Sequence, residues 1–451
     1  MNTLEQIAAQ LQGYDPQALS AQMVNDFLTR LVQPVRTCET LPLTQALGRV
    51  LAHDIVSPID VPAHDNSAMD GYALDGAQLR DDQPLCLQVV GTALAGAAWH
   101  GQVQAGQCVR IMTGAIMPRG LNTVLPQELA LQAPANTPGA PCIMVPPGLL
   151  QPGDNRRCRG EDLQKGRAAL KKGELLTPAA LGLVASLGIE SVAVLRRLRV
   201  ALFSTGDEIL SLGQAPREGA VYDSNRYTLR GLLTRLGCEL FDLGVVGDDP
   251  VALEAAFVQA GAQADAVITS GGVSVGEADH TKTIMKKLGD VAFWRIAMRP
   301  GRPLACGQLS KEKLRSSPYY QSGDSSNFES NSEAATILFG LPGNPVAVMV
   351  TFLAFVRPAL LRMMGCTLAA PPMLKAHSLE LLRKKPGRTE YQRGIVSQSQ
   401  DGRLQVRSTG NQGSGVLSSM VQANGLIVLH HTQGSVAVND LVDVMMFDGV
   451  I

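Results

Sequence analysis

Four loops made mainly of small and acidic residues each follow a predicted strand of this 451-residue chain. In open α/β sheets, ligands bind outside the carboxyl ends of the strands, so these loops predict a binding site at one edge of a sheet. The loops are Ser204-Thr205-Gly206-Asp207-Glu208, Gly247-Asp248-Asp249-Pro250, Ser270-Gly271-Gly272-Val273-Ser274-Val275-Gly276-Glu277-Ala278-Asp279 and Gly340-Leu341-Pro342-Gly343-Asn344-Pro345.

The third of these loops has the composition of an anion cradle. Its glycines let a ligand approach backbone N–H groups closely, and Ser270 and Ser274 add hydroxyl groups. The loop is not a Walker A loop, because it lacks the GK[ST] ending. Taken alone it could be an ordinary glycine-rich turn, but four such loops in register favour a phosphate or oxyanion site.

Three carboxylates, Glu208, Asp248 and Asp279, would lie near one another at the same edge. Hard oxygens beside a phosphate suit Mg²⁺, which uses one or two carboxylates together with substrate oxygens and water. The three residues therefore predict a metal site. Each alone could instead be a helix cap or a solvated turn residue, and Asp249-Pro250 has the pattern of a cap.

Arginines at positions 295, 299 and 302 surround the Pro300-Gly301 turn. The planar guanidinium group of arginine binds phosphates and tetrahedral oxyanions through several donors. Because Arg299 and Arg302 flank a tight turn, we interpret the segment as part of an anion site; a solvated basic edge is the alternative. Two other segments, Asp60–Tyr72 and Arg156–Lys165, combine acids and bases and are interpreted from composition as loops held by salt bridges.

The elements that must position these residues alternate between strand and helix, which is typical of a doubly wound parallel sheet. The predicted strands are 199–203, 239–246, 266–269 and 337–339, and the predicted helices are 225–236, 250–260, 280–288 and the run from Val346 onward. Residues 44–54 have helical spacing, and another helix is predicted from Thr177-Pro178 to Gly188. Short apolar runs in 58–155 and 373–451 predict β structure.

The predicted fold is therefore multi-domain α/β, with a central doubly wound parallel-sheet domain, a helical N-terminal segment and two smaller β-rich domains. The expected domains are 1–57 with 165–197, 58–164, 198–368 and 369–451. Residues 308–335 carry many serines within the α/β domain and are predicted to be a mobile surface excursion. We expect that replacing 310–333 by a short Gly/Ser linker leaves stability nearly unchanged.

Composition excludes several classes of protein. The formal net charge is -1, from 39 basic and 40 acidic residues, so no global field favours nucleic acid or an anionic membrane. The N-terminal residues lack a signal-peptide pattern, and the longest apolar run, Val346–Val356, is short for a bilayer span. The eight cysteines never approach CxxC spacing, which argues against structural zinc. We expect a cytoplasmic protein with reduced thiols.

As a set, nine motifs in order resemble those of the molybdopterin molybdenumtransferase family, which includes the bacterial MoeA proteins and the E domain of gephyrin. They are DVPAHDNSAMDGYAL, IMTGAIMPRGLNTVLPQE, RRCRGEDL, LFSTGDEI, YDSNRYTL, ITSGGVSVGEADHTK, WRIAMRPGRPLACG, LFGLPGNPVAV and PGRTEYQRG. The resemblance covers nearly the whole chain, and its α/β domain resembles the molybdopterin-binding fold.

The resemblance implies an activity. Members of this family receive adenylylated molybdopterin from a partner adenylyltransferase, insert molybdate at the dithiolene and release AMP with Mg²⁺. They form homodimers of four-domain subunits whose active-site cleft is shared between subunits. Molybdoenzyme chaperones are candidate downstream partners. Neither nucleic acid nor a membrane is implied.

The family's functional residues are carried over motif by motif. The resemblance implies that the functional acids are Asp70, Asp162, Glu208, Asp248 and Asp279, that the basic positions are Arg295 and Arg299, and that Pro342 and Pro345 shape the last loop. Two features depart from the family pattern. The positions 295, 299 and 302 are more usually lysine in close bacterial relatives, and the 308–335 segment is longer here and could act as a lid.

Two other functions stay open at this point. The 198–365 region also resembles the adenylyltransferase partner, so nucleotidyl transfer is one alternative; the DNSAMDGY motif and the multi-domain chain argue against it. A scaffold protein without turnover is the other, and the complete set of acids argues against that.

Overall fold

The structure is a computed structural model that describes residues 3–133, 141–272, 280–320, 335–367 and 372–447. The helices are α1 Leu4–Ala9, α2 Ala21–Leu31, α3 Pro178–Ser186, α4 Ser224–Leu236, α5 Pro250–Gln263, α6 His280–Leu288, α7 Lys311–Arg315, α8 Pro345–Thr351, α9 Arg357–Met363 and α10 Ser418–Gln422. A π-helical turn, Phe352–Val356, joins α8 to α9.

The strands fall into three stretches of the chain. Before residue 198 they are β1 Cys38–Pro42, β2 Ile55–Val56, β3 Asn66–Ser67, β4 Gly71–Leu74, β5 Leu85–Ala93, β6 Gln107–Ile111, β7 Thr123–Pro126, β8 Leu131–Gln132, β9 Cys142–Val145, β10 Arg156–Arg157, β11 Ala168–Leu170 and β12 Ser191–Leu195. The next are β13 Arg199–Thr205, β14 Ile209–Leu210, β15 Val221–Tyr222, β16 Glu239–Val246, β17 Ala266–Ser270, β18 Gly289–Arg295, β19 Met298–Arg299, β20 Pro303–Leu309 and β21 Thr336–Leu341. The last are β22 Leu374–Ser378, β23 Thr389–Gln398, β24 Leu404–Ser408, β25 Gly425–Leu429 and β26 Leu441–Met446.

The central sheet has the order β16-β13-β17-β21-β20-β18. The first four strands are parallel, as predicted. The strands β13, β17 and β21 are buried almost throughout, as expected of strands covered on both faces, whereas the edge strand β16 is only partly buried. The strands β20 and β18 were not predicted and are antiparallel to their neighbours, so the sheet is mixed. Two successive reversals leave β18 parallel to β21, which puts the end of β18 at the same edge as the ends of the four parallel strands.

Helices cover both faces of this sheet. One face packs against α4, the α8–α9 run and α2, in a core that contains Phe27, Phe339 and Phe355. The other face packs against α5, α6 and α7, in a core that contains Phe203 and Phe257. This arrangement is the predicted doubly wound architecture.

The N-terminal helices belong to the core of the sheet domain. Ile7, Val24 and Phe27 are almost fully buried in the same cluster as the sheet residues, and the Trp294 indole N–H donates to the Tyr14 hydroxyl at 2.9 Å. A backbone bridge pairs Leu19 with Ile296. The first helices are thus held by the α/β layer, while β1, β12 and α3 share a separate small core.

The helix predicted over 44–54 is wrong. A 3-10 turn covers only Leu43–Gln45, Gly48 adopts φ +70°, and Leu47 is exposed. The chain then extends, and Val50 and Leu51 form bridges to Leu175 and Val194. Pairing with two neighbouring segments outweighs helical spacing here, because the same apolar side chains are buried either way.

The two remaining regions are β-rich, as predicted. Residues 71–145 contain a sheet of order β7-β4-β6-β5-β9-β8, and residues 374–446 contain a second sheet. In the second, β23 pairs with both β24 and β25, so five strands close on themselves and β19 of the α/β region pairs with β23 at the side. The helix predicted from Thr177 is also confirmed, with the Thr177 side chain as its cap. The predicted domain boundaries stay a prediction.

The prediction of a mobile excursion at 308–335 is wrong for its first part. Residues 308–309 end β20, and α7 follows with Leu314 only 1% exposed in the core beside α5. The Lys311 ammonium donates to the Gly261 carbonyl at 2.8 Å, and burial lowers its pKa. Residues 321–334 lie outside the described residues.

The position of this insertion also argues against a lid. It leaves the sheet after Leu309 and returns at Thr336, and these two residues are paired. Thr336 begins a parallel strand, so both lie at the amino edge, opposite the carboxyl ends. The insertion is therefore anchored on the side of the sheet away from the predicted site.

Within the described residues, one helical run, Pro345–Met363, is long and apolar enough to cross a membrane by length and composition. It continues past the apolar run seen in the sequence because helix α9 follows the π turn. Most of it is buried against the sheet, which is typical of a core helix in a water-soluble protein.

Candidate active site

The predicted loops do gather at one edge of the sheet. At the carboxyl ends, the register pairs Thr205 with Val246, Ser204 with Ser270, and Ser270 with Leu341. Direct contacts join the loops that follow. This edge is therefore the candidate active site.

Gly206 makes room for the Glu208 carboxylate. Gly206 has φ +137°, and a Cβ there would lie 2.4 Å from Glu208 Oε2. The φ of +137° favours glycine at this position. The Glu208 side chain lies over Gly206 at the end of β13 and is exposed at the candidate site.

Asp207 and Asp248 link the loops after β13 and β16. The Asp207 Oδ1 atom accepts a hydrogen bond from the Asp248 N–H at 3.0 Å. A Cβ at Gly247 would lie 3.0 Å from the same oxygen, so glycine is also favoured there. The Asp248 side chain is exposed at this edge, and Asp249 caps α5 by accepting from the Ala252 N–H, as its sequence pattern predicted.

The start of the glycine-rich loop packs tightly on the neighbouring strands. The Gly271 N–H donates to the Leu341 carbonyl at 3.2 Å, and a Cβ at Gly271 would lie 2.5 Å from the Thr205 carbonyl oxygen. Gly272 has φ +65° and lies against Thr281. Ser270, Gly271 and Gly272 are therefore held against the neighbouring strands, and their role as an anion cradle stays a prediction. Ser274, Gly276 and Asp279 lie outside the described residues.

Sequence analysis missed Asp223 and Asn225, two residues at the start of α4 that link these loops. Asn225 Nδ2 donates to Ser270 Oγ at 2.8 Å and to the Gly343 carbonyl at 2.7 Å, and Ser204 Oγ donates to Asp223 Oδ1 at 3.0 Å. Asn225 and Asp223 both lie in the YDSNRYTL motif, which is the signal in the sequence that could have identified them. In the last loop Pro342 is buried, Gly343 and Asn344 are exposed, and Pro345 begins α8.

The arginine segment continues the edge beyond β21. Arg295 ends β18, Arg302 directly precedes β20, and the chain between them turns through a cis Arg299–Pro300 bond and Gly301 at φ +94°. All three arginine side chains are exposed. The predicted turn is confirmed, and its arginines lie at the same edge as the loops.

Arg299 lines a cavity between the sheet domain and the C-terminal closed sheet. The cavity has a volume of about 70 Å³ and is also lined by Arg383, Arg393, Gln412 and Glu390. A backbone hydrogen bond from Val346 to the Ser414 carbonyl, at 3.1 Å, ties the start of α8 to the same C-terminal region.

Arg393 is the most deeply buried of these cations, at 1% exposure. Its guanidinium donates to Ser419 Oγ at 2.9 Å and to the carbonyl oxygens of Asn411 and Gly413. Burial lowers the pKa of Arg393 to about 10, and the nearby charge of Arg299 acts in the same direction. Because the Glu390 carboxylate is already bound by Arg388, the cavity keeps an excess of positive charge that suits an oxyanion.

Asp70 and Asp162 have different surroundings. The Asp70 Oδ1 atom accepts from the N–H and the hydroxyl of Thr113, each at 2.7 Å, and these hydrogen bonds lower the pKa of Asp70. The Asp162 N–H donates to the Val61 carbonyl. Their described contacts all stay within residues 58–164, so within one chain the structure does not join them to the sheet edge.

The salt-bridged loops interpreted from composition are confirmed. Arg159 Nε lies 2.6 Å from Asp60 Oδ2, and Arg156 Nη1 lies 3.5 Å from Asp65 Oδ2. The strands β3 and β10 pair the two segments directly.

The donor chemistry at the edge fits a hard divalent cation. The carboxylates of Glu208 and Asp248 make no described hydrogen bond or ion pair, so their oxygens are available. Among the residues that the structure describes, no group of three or more His, Cys, Asp and Glu side chains could hold a metal alone. Mg²⁺ commonly needs only one or two carboxylates when the substrate supplies phosphate oxygens.

Fold and site together define a class: an α/β protein whose carboxyl edge presents a glycine-rich loop, carboxylates without described partners and an arginine-lined cavity. Comparison with known proteins gives the family. Residues 19–188 match the MoeA N-terminal region (domain I and II), residues 201–362 the probable molybdopterin binding domain, and residues 375–447 the MoeA C-terminal region (domain IV).

Relatives cover almost the whole chain. A molybdopterin molybdenumtransferase of Haemophilus influenzae is 40% identical over 431 residues, which are 95% of this chain and 98% of that protein. One of Nostoc sp. is 36% identical over 397 residues, 87% of this chain and 84% of that protein. The crystal structure of the molybdopterin biosynthesis moeA protein from Pyrococcus horikoshii OT3 matches with a TM-score of 0.75 at 25% identity, covering 95% of this chain and 100% of that one. The chain belongs to the molybdopterin molybdenumtransferase family, and it is therefore a transferase.

Proposed function

We propose that this protein inserts molybdate into adenylylated molybdopterin with release of AMP, in a Mg²⁺-dependent reaction of molybdenum cofactor biosynthesis. The observation that carries the proposal is the shared edge at which a glycine-rich loop, the Glu208 and Asp248 carboxylates and an arginine-lined cavity meet. The names of full-length relatives support the substrate class.

Each part of the edge has a chemical role in this proposal. The Ser270 hydroxyl and the backbone at Gly272, together with the loop after β13, bind the phosphate groups of the adenylylated pterin. Pro342 and Pro345 fix the shape of the loop that closes this side. Arg295 and Arg302 attract the anionic substrate to the edge.

Glu208 and Asp248, together with Asp279, would hold Mg²⁺. When bound, the ion supplies positive charge that stabilises the phosphoanhydride oxygens as AMP leaves. Arg299 and Arg393 bind molybdate in the cavity beside the C-terminal sheet, since two cations without a carboxylate partner favour a small dianion. The forked guanidinium groups hold the oxyanion in a defined orientation.

The proposed assembly is a homodimer in the cytoplasm. Asp70 and Asp162 have no described contact with the edge of their own chain, which supports a cleft completed by the second subunit. A molybdopterin adenylyltransferase would supply the substrate, and molybdoenzyme chaperones are candidate recipients of the product.

The test is an assay with purified protein, adenylylated molybdopterin, molybdate and Mg²⁺. We expect AMP and a cofactor that reconstitutes a molybdenum-free molybdoenzyme. Consumption of ATP with free molybdopterin and release of pyrophosphate would support the adenylyltransferase alternative instead. Neither reaction would indicate the scaffold.

A further inference from the structure

The first turn of α4 makes hydrogen bonds with residues in, or just beyond, each of the four parallel strands. Three residues in this turn, Asp223, Asn225 and Arg226, each reach a different part of the carboxyl edge. They are at most 9% exposed. None of them belongs to the loops that form the surface of the candidate site.

Asp223 binds the end of β13. Its Oδ1 atom accepts from the Ser204 hydroxyl at 3.0 Å and from the Arg226 N–H at 3.1 Å, so the same carboxylate caps the helix and fixes the strand. Its Oδ2 atom accepts from Arg226 Nε at 2.9 Å. The buried carboxylate is therefore fully paired, which its removal from water requires.

Arg226 binds the middle of β16, just before the register shift of that strand. Its Nη1 atom lies 2.9 and 2.8 Å from the two oxygens of Asp242, and Asp242 Oδ1 also accepts from the Gly244 N–H at 3.0 Å. Gly244 has φ +77°, and the register of β16 against β13 shifts at this point. Such a bulge redirects the strand that follows it, and here that strand leads to Asp248.

Asn225 binds the ends of β17 and β21 at once. Its single amide nitrogen donates to Ser270 Oγ and to the Gly343 carbonyl, which belong to the glycine-rich loop and to the last loop. Its Oδ1 atom is buried and has no described hydrogen-bond partner. A residue selected for stability alone would pair this acceptor, because leaving it unpaired costs free energy.

We propose that Asp223, Asn225 and Arg226 form a positioning unit that sets the geometry of the active site, with Asn225 fixing the separation between Ser270 and Gly343 and Arg226 fixing the strand before Asp248. The expected effect on catalysis rests on the proposed function. The expected effect on the geometry of the loops does not. The three residues act through the loops and do not touch the substrate.

The experiment compares four variants of the full chain. Asn225→Ala removes both hydrogen bonds, and Asn225→Asp keeps the size but replaces the donor by an acceptor. Arg226→Lys keeps the charge but loses the fork that reaches two carboxylates. Thr336→Val is the matched control: its buried hydroxyl contacts the carbonyls of Gly261 and Ala264, each at 3.0 Å, at the opposite edge of the same sheet.

Amide hydrogen exchange is the first measurement, because it needs no substrate. We expect Asn225→Ala and Asn225→Asp to raise exchange at 270–272 and 341–344 by tenfold or more over the control, and Arg226→Lys to raise it at 244–248. Equal exchange in all four variants would overturn the proposal, and so would a uniform increase across the sheet that matches the loss of melting temperature.

Steady-state kinetics is the second measurement. Small displacements of positioned groups cost about tenfold to a hundredfold in rate, so we expect kcat/KM for AMP release to fall by that factor per folded molecule in both Asn225 variants. Arg226→Lys should mainly raise the Mg²⁺ concentration needed for half-maximal rate. Turnover like that of Thr336→Val would contradict the proposal. If the unaltered protein releases no AMP, the proposed function fails. The hydrogen-exchange data still decide whether Asn225 and Arg226 position the loops.

Discussion

The Glu208 carboxylate folds back over Gly206, in space that any side chain there would occupy. The carboxylate thus lies at the end of β13, exposed at the carboxyl edge. It has no described hydrogen bond or ion pair, so its charge is available to a ligand. This placement makes Glu208 the clearest test of the proposed metal site in the described residues.

We expect Glu208→Gln to slow AMP release by about a hundredfold, the size of loss seen when one preorganised electrostatic group is removed. The reason is that the amide keeps the shape but removes the negative charge that holds Mg²⁺. Rates measured against Mg²⁺ concentration report this directly. Glu218→Gln, an exposed position in the same segment, is the control and should behave normally. An unchanged Mg²⁺ dependence for Glu208→Gln would remove this residue from the metal site.

Arg299 should affect a different substrate. Arg299→Ala removes one of two cations from the cavity, so the molybdate concentration for half-maximal rate should rise about tenfold or more, since a charge-assisted hydrogen bond contributes about 1.5–3 kcal/mol. Arg299→Lys should be mild because the charge stays. Arg403→Ala, at a surface ion pair, is the control. A fall in melting temperature with no change in molybdate dependence would indicate a purely structural arginine.

At the scale of elements, the insertion contributes to the core beside α5. A Cβ at Gly261 would lie 2.6 Å from a Leu314 methyl group, so α7 and α5 are in tight contact. Ser317 Oγ also donates to Glu254, which binds Lys287 of α6. Replacing 310–333 by a linker should therefore destabilise the protein, contrary to the sequence-based expectation.

Leu314→Ala tests this packing with a single change. The loss of a buried leucine should lower the free energy of unfolding by about 2–5 kcal/mol. Because the insertion lies at the amino edge, AMP release per folded molecule should not change. Denaturant unfolding and activity measured on the same samples check both statements, with the exposed Val421→Ala as control. A variant that is stable but inactive would show that the insertion acts on the active site.

Local sequence patterns were sufficient to predict the helices and parallel strands of much of the α/β region. Helix α6 matches its predicted bounds, and α4 ends at Gly237 as predicted, because continuous apolar strands and capping residues are encoded within a few positions. The strands β18 and β20 were missed because the alternation of strand and helix predicts parallel strands, whereas these two pair antiparallel with no helix between them. Residues 44–54 were predicted wrongly because Val50 and Leu51 pair with residues far along the chain.

The candidate site was also only partly predictable from local sequence. The loops and their shared edge follow from the alternation of strand and helix and could be predicted. The cavity between Arg299 and Arg393 could not, since it forms only when the C-terminal sheet packs beside the α/β region. Asn225 was missed although it lies in the YDSNRYTL motif, because an amide side chain does not by itself indicate which loops it links; its contacts do.

At the scale of the whole molecule, the position of Asp70 and Asp162 in one chain leaves the proposed site incomplete. A twofold dimer presents the same surface patch twice, so each cleft could take Asp70 from one subunit and Glu208 from the other. Sedimentation should then show a dimer at micromolar concentration. A fully active monomer would contradict the shared cleft.

Mixing two inactive variants tests the sharing itself. Asp70→Asn and Glu208→Gln should each be poorly active alone. After subunit exchange, random pairing puts one intact cleft in every mixed dimer, so activity should recover to about a quarter of the normal value. Recovery should be absent when either variant is mixed with its own copy. No recovery in the mixture, with exchange verified by mass spectrometry, would show that both residues act within one subunit.

The most direct measurement is AMP release from adenylylated molybdopterin by the unaltered protein, with Mg²⁺ and molybdate each present or omitted. The account predicts AMP release and formation of active molybdenum cofactor only when both are present, at a rate well above that of the Glu208→Gln variant. Unchanged substrate after incubation with both, from protein that is folded and dimeric, would contradict the proposed function.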